Sequence, residues 1–307
     1  MGNSMKLIDE RNADILIYIN GELLPRNEAK ISVFDSAVQG GDAVWEGLRV
    51  YNGRIAALND HLQRLQNSAK ALMFKDVPST EEVKEALFKT LEANGMWDQT
   101  HVRLTLTRGE KITSGMNPSL NQSGCTLIVL AEWKPPVYSN SGIKVITSSI
   151  RRNSPHFLDS KIHHNNLLNN ILAIIEANVS GVDSAIMLDN NGFISETNDT
   201  NIFIVIKGEV HTPTGDSCLP GITRKMIIDI AQNEGIKVLE RNISISELYS
   251  ADEVFTSGTM GEITPILEAD GRIISQGNQG SITKKMQLLH SEYAFKNGES
   301  VPFQKPE

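Results

Sequence analysis

A chain of 307 residues, 40% apolar and 21% charged, can bury a sizeable core, and its length favours two domains or one large one. A formal net charge of −8, without any run of five like charges, argues against a nucleic-acid binder, whose footprint is basic. The apolar runs are too short to span a bilayer, residues 1–6 lack the apolar stretch of a secretory leader, and Lys6 stands where a myristoylation signal needs Ser or Thr. A cytoplasmic protein without membrane contact is expected.

The first half opens with a strand at 15–19, turned by Asn20-Gly21 into a second, the strongest short-range hairpin signal. Residues 60–73 read as a helix capped by Asn59 or Asp60, with Leu62, Leu65, Ala69, Leu72 and Met73 on one stripe and Arg64 off it. Ser79 and Glu82 form a capping box for a helix that stops near Asn94-Gly95. Val102, Leu104 and Leu106 alternate with Arg103, Thr105 and Thr107, so this strand has one apolar and one polar face. Residues 125–130 read as a buried strand.

The diproline and polar tail of residues 134–142 read as a linker between a domain at 1–133 and one at 143–307. Beyond it are expected a strand at 143–150, a helix at about 165–177, a strand at 185–188, a turn at Asn190-Asn191-Gly192 and a strand pair ending at Val210. A helix at 222–233, a strand at 236–239, a short helix near Ser246 and a strand at 253–256 follow. Strands mixed with helices and hairpins point to an α+β chain rather than a regular parallel array. Cys125 and Cys218, without metal-ligand spacing, read as reduced and inert thiols.

Gly221-Ile222-Thr223 enters a helix, where free N–H groups and the helix dipole favour an anion, and Ser257-Gly258-Thr259 after a strand offers a second nest. Glu196 stands in a polar segment running into an apolar strand. Arg103, in the middle of an alternating strand, suits a substrate carboxylate or a partner carboxylate within the protein equally well. Lys161, between a strand and a helix, is a candidate imine-forming amine and proton shuttle, with an ordinary surface lysine as the alternative. His163 and His164 make a weak metal pair, with no third ligand at usable spacing, so no metal is expected. Two N–H-rich turns, one acid beside a strand and one upstream lysine are the parts needed to hold an anionic, nitrogen-bearing cofactor, and pyridoxal phosphate (PLP) has that chemistry.

The chain resembles the class IV, fold-type IV PLP aminotransferases, which include branched-chain and D-amino-acid aminotransferases and are related to the aminodeoxychorismate lyases. The resemblance runs from about Ile15 to Met286 and rests on ordered motifs. Among them are Glu46-Gly47-Leu48-Arg49, His61 with Arg64, Thr107-Arg108-Gly109, Glu196 with Asn201-Ile202-Phe203, Leu219-Pro220-Gly221-Ile222-Thr223-Arg224 and Ser257-Gly258-Thr259. It implies a two-domain, D-amino-acid aminotransferase-like fold with the cofactor between the domains and a homodimer completing the site.

By position, the resemblance assigns the cofactor phosphate to Arg64, Ile222, Thr223 and Thr259, and the pyridine nitrogen to Glu196. Met260, Gly261 and Arg103 go to the substrate. The activity implied is transfer of an amino group between an amino acid, branched-chain or D-type, and a 2-oxo acid. A PLP-dependent lyase and a relative that forms no imine are the alternatives. Gly40 and Asn166 or Leu167 stand where many branched-chain members place tyrosines. The lysine of the family lies three or four residues before an Asn, which fits Lys161 counted to Asn165, whereas an ungapped overlay puts His163 in its place. The amine favours Lys161.

Overall fold

The computed structural model describes residues 7–305, so the reading of residues 1–6 as lacking a leader or lipid signal lies outside the described residues. Two compact units divide the chain. One comprises residues up to Pro135, His163–Asn166 and the segment from Ala294, and the other comprises Pro136–Ile162 and Leu167–Tyr293. The division falls inside the 134–142 stretch and also gives four residues after Lys161 to the first unit.

In the first unit the Asn20-Gly21 turn joins β1 (Leu16–Ile19) to β2 (Glu22–Pro25), with Asn20 and Gly21 both at positive φ as such a turn requires. Helix α1 (Ser36–Gly40) precedes the long β3 (Ala43–Tyr51), which turns into β4 (Arg54–Ile55). Strands β5 (Thr100–Thr107) and β6 (Thr126–Trp133) complete a seven-stranded sheet, together with a short strand at Glu299–Ser300. The order is Glu299–Ser300, β4, β3, β5, β6, β1, β2.

Helices α2 (Leu58–Ala71) and α3 (Thr80–Ala93) turn Leu58, Leu62, Leu65 and Ala69, and Val83, Leu87 and Leu91, inward. These side chains and the buried Val102, Leu104 and Leu106 of β5 build the unit's core. Burying one such side chain stabilises by roughly 1.5–3 kcal/mol. Both bonds of the Ser79–Glu82 capping box form. The expected cap at Asn59 or Asp60 does not: α2 begins at Leu58 behind Ala57, whose left-handed backbone (φ 48) makes the entry turn without a side-chain cap.

The other face of the sheet is polar. Register pairs Trp45 with Thr105, Gly47 with Arg103 and Arg49 with His101, so these residues share one face. Gly47 is covered on this face by the Trp45 and His101 rings, which stand 3.5 and 3.6 Å from where a Cβ would be.

The second unit holds a mixed sheet of β7 (Ile143–Thr147), β8 (Ser184–Leu188), β9 (Ile194–Thr197), β10 (Asn201–Ile206), β11 (Glu209–Thr212), β12 (Val238–Glu240), β13 (Glu253–Gly258) and β14 (Glu262–Ala269), with β15 (Arg272–Ile273) paired to β14. Strands β7 and β8 run parallel because α4 (Leu168–Ser180) supplies the crossover, and α5 (Ile222–Asn233) does the same between β11 and β12. Two further helices, α6 (Ile245–Tyr249) and α7 (Ser281–Asn297), follow.

One side of this sheet packs Ile143, Ile186, Ile202, Ile204 and Val254 with Leu248 of α6. On the other, Phe203 and Phe255 stack at 4.9 Å between ring centroids, against Ile227 and Ile230 of α5 and Met286 of α7.

Helix α4 begins at Leu168, three residues later than the sequence pattern suggests. Asn165 is engaged as backbone instead: its N–H donates to the Ala43 carbonyl at 2.7 Å, and His164 bridges Val44. The strand expected at 143–150 ends at Thr147: Ser148 still donates its N–H to the Ile186 carbonyl of β8 at 2.8 Å, but its Oγ and the Ser149 N–H turn to Glu176. No helix among the described residues is long and apolar enough to cross a membrane.

Candidate active site

In the second unit, β9 and β10 present Glu196 and Asn201 to the loop that leads into α5. Glu196 is 5% exposed. Its Oε1 accepts from Arg152 Nε at 2.6 Å and from the Leu219 N–H at 3.2 Å, and its Oε2 accepts from Asn201 Nδ2 at 3.1 Å. Burial pushes this carboxyl up, and the Arg152 charge opposes the shift. Asn201 also donates to the Leu219 carbonyl at 2.9 Å, so carboxylate and loop are fixed together.

The same loop meets Lys161. Its Nζ donates to the Asp216 carbonyl at 3.3 Å and lies 4.0 Å from Asp159 Oδ1, with the side chain 45% exposed. Ser195 Oγ donates to the Ser217 carbonyl at 3.1 Å. Residues 216–219 therefore touch Lys161 at one end and Glu196 at the other.

Past Pro220 the chain enters α5 through Gly221, an N-cap in extended conformation without a side-chain cap. No acidic residue stands in the first turn, which leaves the positive end of the helix dipole uncompensated. Gly221 has a packing reason: a Cβ there would run into Asn201 Oδ1 and stand 3.2 Å from Asn201 Cγ. Thr223 is buried in this first turn.

At the end of β13, Ser257 Oγ is buried without a hydrogen-bond partner among the described residues. The turn through Thr259, Met260 and Gly261 is held by Val137, whose N–H donates to the Met260 carbonyl at 2.9 Å, and by Thr264 Oγ1, which donates to the Gly261 carbonyl at 2.7 Å. An unpaired buried hydroxyl and an uncapped helix N-terminus suit an anion, and a buried carboxylate with acceptor capacity left on Oε2 suits a protonated ring nitrogen. These residues fit the phosphate and the pyridine of PLP.

In the first unit, Arg64 reaches from α2 to Glu46 on β3, Nε to Oε1 and Nη2 to Oε2, each at 2.7 Å. Glu46 is fully buried and also meets His61 Nδ1 at 2.7 Å and His163 Nδ1 at 3.2 Å. Burial alone would push its carboxyl up. The His163 ring, the Arg64 fork and the His61 nitrogen reverse that and hold it well below the usual carboxylate range. The His163 ring packs on Trp45 at 4.2 Å between centroids, and burial pushes its imidazole down.

Arg103 lies over the Trp45 ring at 3.9 Å and donates through Nη2 to Asn165 Oδ1 at 2.6 Å. No carboxylate pairs with it among the described ion pairs. Arg49 donates to the Tyr51 hydroxyl and to the Lys134 carbonyl. Among the described residues no group of three or more His, Cys, Asp or Glu side chains could hold a metal ion.

Lys161, Glu196, Ile222, Thr223, Thr259, Met260 and Gly261 thus belong to the second unit, and Arg64, Arg103 and His163 to the first. The lysine and the histidine that compete for one role in the sequence fall on different units. Sequence reasoning passed over Arg152, whose only mark is the pair Arg151-Arg152 after a strand, and over His101 beside Arg103.

A family model described as amino-transferase class IV matches residues 43–269. The chain belongs to this family. It is 57% identical over 292 residues to branched-chain-amino-acid aminotransferase-like protein 2 of Arabidopsis thaliana, covering 95% of this chain and 52% of that protein. To the putative branched-chain-amino-acid aminotransferase of Methanocaldococcus jannaschii it is 41% identical, covering 93% of this chain and 98% of the relative. The crystal structure of the Escherichia coli branched-chain amino acid aminotransferase superposes with a TM-score of 0.87 at 32% identity, over 93% of this chain and 96% of that one. The fold is accordingly the α+β, fold-type IV architecture of the class IV enzymes. The chain spans about half the length of the Arabidopsis relatives it matches.

Proposed function

We propose that this class IV family member is a PLP-dependent aminotransferase, moving an amino group between an amino acid of branched-chain or D-type and a 2-oxo acid. The observation that carries the reading is the 216–219 loop, which sets the Lys161 amine and the buried Glu196 carboxylate at its two ends and leads into the uncapped N-terminus of α5. Bound PLP supplies the electron sink that makes the substrate's α-carbon acidic. Glu196 holds the proton on the ring nitrogen. The N–H groups of Ile222 and Thr223, with Thr259, hold the phosphate. Lys161 Nζ would take the proton from the substrate's α-carbon and pass it to the cofactor carbon that bears the nitrogen, as a primary amine can.

Met260 and Gly261 receive the substrate in this reading. The resemblance gives Arg64, whose Nε and Nη2 are engaged by Glu46, to the phosphate, and gives Arg103, whose planar guanidinium suits a carboxylate, to the substrate. Arg103 is stacked rather than ion-paired, which supports a role toward an incoming anion. A second copy of the chain is the proposed partner. It is supported by the exposed apolar stripe of Leu168, Leu172, Ile175 and Val179 on α4. The proposed location is the cytoplasm.

The test is to incubate the chain with PLP, a panel of L- and D-amino acids, and 2-oxoglutarate or pyruvate. Exchange of the amino group supports the reading, and absence of any exchanged product contradicts it. One observation favours a second reading, a relative that forms no imine. The Lys161 side chain is 45% exposed and bonded to a carbonyl, while His163 is held by buried groups. Covalent trapping of the cofactor separates the two.

A further inference from the structure

Arg152 has no part in the motifs that carry the family resemblance, yet it makes the shortest contact to Glu196. Its backbone N–H donates to the Leu188 carbonyl at 2.9 Å, which anchors the residue beside β8. Both side chains of the pair are 7% exposed. The remaining donors to the carboxylate, the Leu219 N–H and Asn201 Nδ2, are neutral.

A buried carboxylate without a cation tends to take up a proton, and a neutral carboxyl cannot hold a proton on a ring nitrogen. Arg152 binds Oε1 together with Leu219, which leaves Oε2 with one donor, Asn201. Charge is thereby supplied on one side of the carboxylate, and acceptor capacity stays on the other.

We propose that Arg152 is a positioning residue: its guanidinium fixes the charge and orientation of Glu196, so that Oε2 serves the pyridine nitrogen. The proposal rests on the reading that Glu196 faces the ring of PLP. Arg152 itself acts through Glu196 and transfers no proton.

The test compares wild type, Arg152→Met, Arg152→Gln, Arg152→Lys, Glu196→Gln and the double variant Arg152→Met/Glu196→Gln. The first readout is infrared spectroscopy of the chain without PLP at neutral pH. A protonated-carboxyl band is expected in Arg152→Met and Arg152→Gln. It should stand as an addition to the wild-type spectrum, in which burial also pushes the neighbouring Asp199 carboxyl up and Arg224 also acts on Glu196, and the addition should be missing from Arg152→Lys and from the double variant. The second readout is PLP affinity and the pH dependence of the visible spectrum of the bound cofactor. Arg152→Met should weaken binding by about tenfold or more, as loss of an outer partner does for metal-site ligands, and Arg152→Lys should recover most of it.

Should Arg152→Met fail to fold, Arg152→Gln carries the same readouts with a polar side chain. Charge-neutral variants with no added carboxyl band and the wild-type pH profile overturn the proposal. If Glu196→Gln instead binds PLP with the wild-type spectrum, it is the placing of Glu196 at the ring that fails, whatever the infrared bands show.

Discussion

Arg64 and Glu46 form a two-pronged ion pair inside the first unit, 2.7 Å at each prong, with the carboxylate fully buried. The pair explains why an arginine off the apolar stripe of α2 is nonetheless mostly covered. Removing the carboxylate takes this ion pair from Arg64 and an acceptor from His61 and His163, so Glu46→Gln should cost about 3–5 kcal/mol, read as a lower urea midpoint. The double variant Glu46→Gln/Arg64→Met should regain part of it. A Glu46→Gln midpoint equal to wild type would mean that the pair holds nothing together.

Titration gives the first unit acid responses of two kinds, one from buried imidazoles and one from a buried carboxylate. Burial, then the charges of Lys134, Arg49 and Arg103, pushes the His101 imidazole down from 6.5 to about 3. The ring stays neutral in the fold while the unfolded chain takes up a proton below about 6.5, so stability falls as pH drops from 6.5 toward 3. The slope is at most about 1.4 kcal/mol per pH unit, less where solvent screens the ring. The carboxyl of Glu46 is depressed instead, so its contribution is complete above the ordinary 4.5 and is lost only below it. His101→Gln should reduce the loss between about pH 6.5 and 4.5, leaving the part that the buried His163 ring contributes in the same window, and should leave the steeper limb below it. An unchanged upper slope would show that His101 is protonated in the fold.

Gly221 is fixed by packing against Asn201, which also holds Glu196 and the Leu219 carbonyl. Gly221→Ala must push Asn201 aside, at a cost of about 1–3 kcal/mol. It should also weaken PLP binding, because the α5 N-terminus moves with it. Thermal unfolding and PLP titration read the two effects, and a variant that binds PLP like wild type would detach this turn from the cofactor.

The two cysteines are unpaired, and burial pushes their thiols up, from 9.0 to about 11 at Cys125 and about 12 at Cys218. Alkylation consumes the thiolate, and its fraction at neutral pH drops by a factor of about ten for each step of one in pKa. Native labelling should therefore be slower than in urea by about a hundredfold at Cys125 and about a thousandfold at Cys218. Fast labelling of either native thiol would mean that it is open to solvent and ionised.

What the sequence disclosed depends on how local the cause is. The Asn20-Gly21 hairpin and the Ser79–Glu82 box are decided by neighbouring residues, and both are visible without tertiary knowledge. The alternation in β5 survives because one face of the sheet is apolar and the other polar. Strand β3 hides its period, because Ala43, Val44, Glu46, Gly47 and Leu48 are all buried, and a run covered on both faces does not alternate. Strand β14 carries Pro265, which argues against a strand by composition alone.

Tertiary demands override the local signals elsewhere. Residues 163–166 look like the start of a helix, yet Asn165 and His164 bond to β3. Glu196 was marked by its polar context beside an apolar strand. Arg152 could not be, since what singles it out is a contact 44 positions along the chain.

The central claim is that the Lys161 amine engages PLP. Borohydride reduction of the PLP-loaded chain, followed by peptide mapping, tests it most directly. The expected result is a stable pyridoxyl label on the peptide that contains Lys161, absent from Lys161→Ala. A label on another lysine, or a chain that binds PLP and yields no label at all, would contradict it.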